Sequence, residues 1–228
     1  GSMDLARPHP DITTREAHQA RVDLLIPVIK GWFTESSIKI ASLGVQVHGG
    51  MGFIEETGAC QHLRDSRITT IYEGTTGIQA ADLVGRKLSM DQGAAMRALI
   101  AEIEEVAEKL DQAFGDDMAT IRAGLRDGVR ALAEATQWVL ATHDANSVMA
   151  VSVDYLMLAG VVCGGWQMAR AARAAQRKLK IGDDFSFHEA KLISARFYTE
   201  HVLSKATALL SSIQKGGVSI MALTEGQF

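Results

Sequence analysis

The stretch of residues 68–79, with the sequence ITTIYEGTTGIQ, decides how the rest of the chain is interpreted. β-Branched residues and a tyrosine lead to a single carboxylate, Glu73, and a helical pattern follows it. Thr76 and Gln79 have the spacing of a capping box, which predicts that a helix begins near Gly77. Glu73 then lies just before a helix N-terminus, where the helix dipole and free N–H groups favour an anion.

Two interpretations of Glu73 follow from this pattern. Gly74 allows a tight turn or the close approach of another molecule, and a carboxylate fixed on such a turn can act as a general base. The alternative is an exposed loop carboxylate beside a helix cap that takes part in no chemistry. The local pattern by itself favours the second interpretation, because most carboxylates in loops are solvated.

Composition excludes several classes of function. The 228 residues carry a formal net charge of −4 without a basic block, so nothing indicates nucleic-acid binding. Cys60 and Cys163, the two cysteines, lie far apart, which gives no metal-ligand spacing and is typical of a reducing compartment. The seven histidines are scattered without an HExxH pattern. We therefore expect a cytoplasmic protein without a metal site.

The chain is expected to be all-α and to have two parts. Residues 1–3 resemble a protease-cleavage scar. Residues 4–90 form the first helical part, and residues 91–228 form a second part. The boundary is placed at residues 89–93, where Ser, Asp, Gln and Gly follow a helix end that carries a lysine.

Helical spacing dominates the first part. We predict helices over residues 14–32, 38–47, 56–67 and 78–88. Pro27 should kink the first of them, and the cap-forming residues 34–37 should end it. Residues 49–52, which contain three glycines, are predicted to form a loop. Residues 68–72 are β-branched but too isolated to pair as a strand, so we predict an extended connector there.

The second part contains four long helical segments. One apolar face of the first segment alternates steps of four and three residues: Leu99, Ile103, Val106, Leu110 and Ala113. The second segment covers residues 118–140, the third covers residues 147–177, and a capping box at Ser186 is predicted to start the fourth. Residues 148–169 are apolar enough to be tested as a membrane span, but Asp154 interrupts them, which favours a buried bundle helix.

Two further motifs precede Glu73. The sequence QVHGGMGF at residues 46–53 has three glycines after a helix, which suits close approach to a pyrophosphate or a dinucleotide edge. A glycine-rich helix stop explains this motif equally well. In the sequence RDSR, Arg64 and Arg67 flank Asp65, so an ion-pair network is the first interpretation and a substrate role is the alternative.

Taken together, QVHGG, RDSRI and IYEGT resemble the acyl-CoA dehydrogenase family in their order and spacing. The resemblance covers residues 24–88 and is specific, because three motifs match jointly. The part after Asp91 is similar in its helical character to the additional C-terminal domain of a longer subgroup, which includes 3-methylmercaptopropionyl-CoA dehydrogenases. The resemblance implies the helical bundle of the family's C-terminal domain, followed by a second four-helix segment.

The resemblance implies a role for two residues of the turn. Glu73 stands where the family has its catalytic base, which removes the α-proton of an acyl-CoA thioester while a hydride leaves the β-carbon for the flavin. The product is a trans-2-enoyl-CoA. In the family, the base's own backbone N–H and the flavin ribityl chain bind the thioester oxygen and so stabilise the developing enolate. Gly74 lies where the substrate passes.

The resemblance also implies FAD as the cofactor, often the FAD of a neighbouring subunit. The matching positions are Gln46, Val47, His48, Gly49, Gly50, Thr75, Thr76 and Gly77. Gly77 departs from the glutamine or asparagine of many relatives, so a side-chain contact to FAD is not available there. A homo-oligomer, with electron-transfer flavoprotein as the electron acceptor, is further implied.

The chain lacks the strand-rich sequence needed for the β-barrel that supplies much of the family's flavin site. We therefore expect the C-terminal portion of such an enzyme, inactive by itself. One alternative is a non-catalytic helical bundle that serves oligomerisation. Another is a relative that binds nucleic acid, as in the alkylation-response branch of the family, and the slightly acidic composition disfavours it.

Overall fold

The computed structural model describes residues 1–110 and 115–227, which are mostly helical. No strand occurs within these two ranges, which confirms the all-α prediction. The helices are α1 (Ser2–Ala6), α2 (Ile12–Val47), α3 (Gly50–Phe53), α4 (Ala59–Ile68), α5 (Thr76–Asp82), α6 (Ala94–Lys109), α7 (Asp116–Ala141), α8 (Ala145–Ala150), α9 (Ser152–Lys180), α10 (Phe185–His201) and α11 (Ala206–Lys215). Ala113 of the predicted apolar face lies outside the described residues.

Helix α2 continues through the break predicted at residues 34–37. The Thr34 hydroxyl donates to the carbonyl oxygen of Lys30 at 2.7 Å, and the Ser37 hydroxyl donates to that of Thr34 at 2.7 Å. These side chains bond to carbonyls of their own helix instead of capping a new one, so the prediction of a break was wrong. Pro27 also lies inside this helix and is buried.

The extended connector predicted at residues 68–72 is also wrong. Helix α4 ends at Ile68, and the backbone then continues in tight turns, in which the Tyr72 N–H donates to the Ile68 carbonyl oxygen at 3.1 Å. Two predicted caps are displaced as well. Thr75 rather than Thr76 caps α5, and Asp184 rather than Ser186 caps α10.

Two predicted helical segments of the second part are interrupted in the structure. Val151 separates α8 from α9 within the predicted third segment. Residues 202–205, which include a 3₁₀ turn, separate α10 from α11 within the fourth. A π-helical turn, Leu83–Lys87, follows α5 in the first part. The second part therefore keeps its four-segment order, but two of the segments are broken.

One hydrophobic core joins helices from both predicted parts. Its buried members include Leu24, Leu83, Ile103, Leu125, Leu132, Tyr155 and Ile213. This core passes across residues 89–93. The division into two parts at those residues therefore remains a prediction.

Helix α9 lies at the centre of this core. An added Cβ at Gly160 would lie 2.2 Å from Trp32 Cγ, so this glycine lets α9 approach α2 closely. An added Cβ at Gly164 would lie 2.1 Å from the Tyr198 hydroxyl oxygen of α10. Within residues 1–110 and 115–227, no helix has the length and apolar character needed to cross a membrane.

Candidate active site

Glu73 is exposed at the tip of the connection between α4 and α5, which we call the Glu73 loop (residues 69–75). The loop is closed by a backbone hydrogen bond in which the Thr76 N–H donates to the Thr70 carbonyl oxygen at 3.2 Å. Thr70 is buried, so the base of the loop is anchored while its tip faces outward. The geometry places the carboxylate at the edge of the helical body.

The tip of the loop has an unusual backbone conformation. Glu73 has a φ of 53°, which costs a residue other than glycine about 1–3 kcal/mol, and such conformations cluster at functional sites. Gly74 follows with a φ of 94°. An added Cβ at Gly74 would lie 2.6 Å from Gln79 Nε2, the movable end of a long side chain, so the positive φ is what favours glycine there.

Two backbone N–H groups lie at the tip of the loop. Within the described residues, no group accepts a hydrogen bond from the backbone N–H of Glu73 or of Gly74. The neighbouring N–H of Ile78 is satisfied, because it donates to the Thr75 hydroxyl oxygen at 3.2 Å. The loop therefore presents a carboxylate and two hydrogen-bond donors at the same place.

Apolar side chains surround this polar tip. Ile71 is 49% exposed, Tyr72 is 48% exposed and Ile78 is 61% exposed. Exposed apolar groups gathered around a carboxylate are typical of a surface that another molecule or domain covers. A covering group would remove water from around Glu73.

Helix α2 holds the Glu73 loop at both ends. The Lys30 ammonium donates to the Thr69 carbonyl oxygen at 2.6 Å and lies 4.4 Å from the centroid of the Tyr72 ring. The Thr76 hydroxyl donates to Glu35 Oε1 at 2.7 Å. The sequence analysis missed both anchors, and no local signal could have found them, because they are 39 and 41 residues from their partners.

The glycine motif lies at the far end of α2. Gln46 and Val47 end the helix, His48 is its C-cap, Gly49 has a φ of 60° and Gly50 begins α3. Residues 49–52 were predicted to be a loop, but three of them belong to this short helix.

The surface of the glycine motif is open. Residues 46–50 of the motif are all exposed, and an added Cβ at Gly49 or Gly50 would meet no atom within 4 Å, whereas Gly52 is buried. Part of its hydrogen-bonding capacity is already used, because the Gly49 N–H donates to the Gln46 carbonyl oxygen at 3.0 Å. Another molecule can therefore approach this backbone closely, but it would not find every N–H free.

The structure does not bring the glycine motif and the Glu73 loop together in one chain. Glu35 lies beside the loop, and Gln46 lies eleven residues further along the same helix. At 1.5 Å per residue, this is roughly 16 Å along the helix axis. By contrast, Thr75, Thr76 and Gly77 lie directly beside Glu73. The candidate cofactor residues thus form two separate groups.

The ion-pair network predicted within the RDSR motif is wrong. Arg64 instead pairs with Glu55 through two contacts of 2.8 Å, and its hydrogen bonds to Glu55 and Cys60 raise its pKa above the ordinary value. Asp65 is the next residue along α4, and adjacent helical residues do not face each other. The pair stabilises the turn that leads into α4 and lies away from the Glu73 loop.

Two family models match this chain. The family model described as "Acyl-CoA dehydrogenase, C-terminal domain" matches residues 12–88. The model described as "Acetyl-CoA dehydrogenase C-terminal like" matches residues 99–224, more than half of the chain. The matched ranges include the Glu73 loop, both of its anchors and the central helix α9.

Three relatives show how far the similarity extends. A 3-methylmercaptopropionyl-CoA dehydrogenase from Ruegeria pomeroyi is 41% identical over 97% of this chain and 38% of its own length. A broad-specificity linear acyl-CoA dehydrogenase from Mycobacterium tuberculosis is 32% identical over 90% of this chain and 35% of its own length. The human mitochondrial short-chain specific acyl-CoA dehydrogenase is 44% identical over 24% of this chain and 13% of its length.

The chain spans less than two fifths of the length of the two relatives that match nearly all of it. The family model over residues 12–88 covers the three motifs and Glu73, and the model over residues 99–224 covers the second part of the chain. The chain belongs to the acyl-CoA dehydrogenase family.

Proposed function

We propose that this chain is the C-terminal portion of an FAD-dependent acyl-CoA dehydrogenase in which Glu73 is the catalytic base. The observation that carries the proposal is the tip of the Glu73 loop. An exposed carboxylate in a strained conformation stands there beside two N–H groups and among exposed apolar side chains. A role as an ordinary solvated loop carboxylate explains neither the strained backbone of Glu73 nor the exposed apolar side chains beside it.

The chemistry assigned to these groups is the α,β-dehydrogenation of an acyl-CoA thioester. The Glu73 carboxylate takes the α-proton and becomes a carboxylic acid. The Glu73 N–H donates to the thioester oxygen, because negative charge develops there as the proton leaves. FAD, when bound, supplies the chemistry that accepts the β-hydride, and the product is a trans-2-enoyl-CoA. Gly74 leaves room for the substrate beside the base.

The residues fit contact with an edge of FAD but not a complete flavin site. The exposed backbone from Gln46 to Gly50 is open to a ligand, whereas Thr75, Thr76 and Gly77 lie beside the base. Because α2 separates the two groups by roughly 16 Å along its axis, we assign them to different edges of the flavin site, one of them on the FAD of a neighbouring subunit. The Thr76 hydroxyl already donates to Glu35, so towards FAD it can only accept.

The rest of the proposed assignment concerns the whole enzyme. The partners are an acyl-CoA, electron-transfer flavoprotein as electron acceptor and further copies in a homo-oligomer. The place of action is the cytoplasm. The chain by itself should bind FAD poorly and turn over no substrate, because most of the flavin and thioester contacts must come from other parts of the enzyme.

A second candidate function is a non-catalytic bundle that serves oligomerisation. One observation favours it: an exposed apolar stripe follows α2 at steps of three, four and seven residues. Its members are Ile26, Ile29, Phe33, Ile40, Leu43 and Val47. Such a stripe is suited to packing against another helix.

The substitution Glu73→Gln in the complete enzyme distinguishes the two functions. Loss of a general base should lower kcat about 10²–10⁴-fold while the flavin content stays unchanged. Glu56→Gln, an exposed glutamate in the 3₁₀ turn Glu55–Thr57, is the matched control and should retain full activity. Steady-state rates and the flavin absorbance of the same preparations give both readouts. Full activity of Glu73→Gln would remove the base from this position and favour the oligomerisation role.

A further inference from the structure

The conformation of the Glu73 loop needs support from outside the loop. Its tip is exposed, and Glu73 at the tip is strained at φ 53°, so packing of the tip cannot hold it in place. The single backbone bond from Thr76 to Thr70 closes the loop but does not fix its orientation on the helical body. Besides the buried Thr70, two side-chain hydrogen bonds connect the loop and the start of α5 to the body among the described residues, and both involve side chains of α2.

Lys30 fixes the first end of the loop. Its partly buried ammonium bonds to the Thr69 carbonyl oxygen at 2.6 Å and faces the Tyr72 ring at 4.4 Å. A charged donor makes a stronger hydrogen bond than a neutral one, and the ring contact adds a second attachment. Because Tyr72 directly precedes Glu73, the cation restrains the backbone that orients the base.

Glu35 fixes the second end. Its carboxylate accepts from the Thr76 hydroxyl at 2.7 Å, and Thr76 also provides the N–H that closes the loop. Lys30 and Glu35 lie five residues apart on a helix that the core holds rigidly through Leu24 and Val28. Both ends of the loop are therefore attached to one rigid helix, α2.

We propose that Lys30 and Glu35 are positioning residues for Glu73, which hold its carboxylate and N–H in the orientation that proton abstraction requires. This proposal deepens the proposed function and rests on it for the role of Glu73. Neither side chain touches the reacting atoms. Their effect is carried by the Thr69 carbonyl, the Tyr72 ring and the Thr76 hydroxyl.

Amide hydrogen exchange on this chain tests, without any cofactor, whether Lys30 and Glu35 hold the Glu73 loop in place. Lys30→Met should raise the exchange rates of the Tyr72 and Thr76 amides at least tenfold, while the amides of α7 and α9 keep their rates. Lys30→Arg keeps a charged donor that can also stack on the ring, so it should restore rates within about threefold of wild type. Lys39→Met, an exposed lysine on the same helix, should change nothing.

Glu35 is tested by a matched pair. Glu35→Gln keeps an acceptor for the Thr76 hydroxyl and should leave the Thr76 amide within about threefold of the wild-type rate. Glu35→Ala removes the acceptor and should raise that rate at least tenfold. Unchanged rates in Lys30→Met and Glu35→Ala would overturn the proposal, and so would an equal rise throughout the molecule, which indicates general destabilisation.

Steady-state kinetics of the complete enzyme then test whether the contacts of Lys30 with the loop affect catalysis. Lys30→Met should lower kcat at least tenfold with KM and flavin content within twofold, and Lys30→Arg should recover most of the loss. If exchange changes but kcat does not, the positioning role is wrong while Glu73 can still be the base. If Glu73→Gln keeps full activity, the proposed function is wrong whatever Lys30 does.

Discussion

Helix α9 and the Glu73 loop are held in place by different kinds of contact. Around α9, Gly160 meets the Trp32 side chain and Tyr155 is fully buried with its hydroxyl 2.8 Å from that of Thr136. Close packing of this kind restrains every side chain at once. In the part of the chain that the structure describes, the exposed Glu73 has no such packing, and two polar side chains from α2 hold the ends of its loop.

The difference separates stability from function within one molecule. The core around α9 supplies the free energy that keeps the helices together, because burial of apolar surface is the dominant favourable term. The Glu73 loop uses some of that free energy to hold a strained backbone at the surface. Substitutions in the two regions should therefore act on different properties, and their sizes should fall in a definite order.

The largest effect is expected from a cavity in the core. Leu125→Ala removes a side chain that is 0% exposed and should lower the free energy of unfolding by about 2–5 kcal/mol. Leu43→Ala makes the same chemical change at a residue that is 64% exposed on α2, and should cost less than about 1 kcal/mol. Urea unfolding of the two variants measures both. Similar losses would show that the exposed stripe is covered in solution.

An intermediate effect of opposite sign is expected at the loop. Glu73→Gly relieves the cost of φ 53° and should raise the free energy of unfolding by about 1 kcal/mol, although it removes the proposed base. Glu104→Gly places the same change in the interior of α6 and should lower the free energy of unfolding by about 1 kcal/mol. Thermal or urea unfolding of both variants measures the two changes in the free energy of unfolding. A loss at both positions would mean that Glu73 is not strained.

The smallest effect concerns the pH dependence of one helix cap. Asp144 caps α8, and hydrogen bonds from Ser147 hold its pKa below the ordinary value of 3.8. A depressed pKa stabilises the folded state above the unfolded pKa, and this contribution disappears as pH falls through the folded pKa. Asp144→Asn should therefore be less stable than wild type at pH 5, and the difference should be smaller at pH 3. Urea unfolding at both pH values tests this.

The cap of α5 provides the contrast for that experiment. Thr75 also accepts from a backbone N–H, but its hydroxyl does not ionise in this range. Thr75→Ala should cost about 0.5–2 kcal/mol, by the same amount at both pH values. A Thr75 effect that varied with pH would indicate that the cap is coupled to Glu73.

Much of the fold was predictable because it follows from local patterns. Helical spacing indicated an all-α chain, and the threonines after Glu73 indicated a helix start within one residue of the observed one. The break in α2 was not predictable, since threonine and serine hydroxyls can cap a helix or bond to its carbonyls with the same local sequence. Arg64 likewise had acidic residues on both sides, and only folding selected Glu55.

The candidate site divides in the same way. The sequence by itself determined the family and the position of Glu73 before a helix, because these depend on motif order and on the local capping pattern. Only the tertiary structure decided that Lys30 and Glu35 support the loop and that the glycine motif lies apart from it. These relations join residues 39 and 41 positions apart, and packing of α2 against α4 and α5 brings them together.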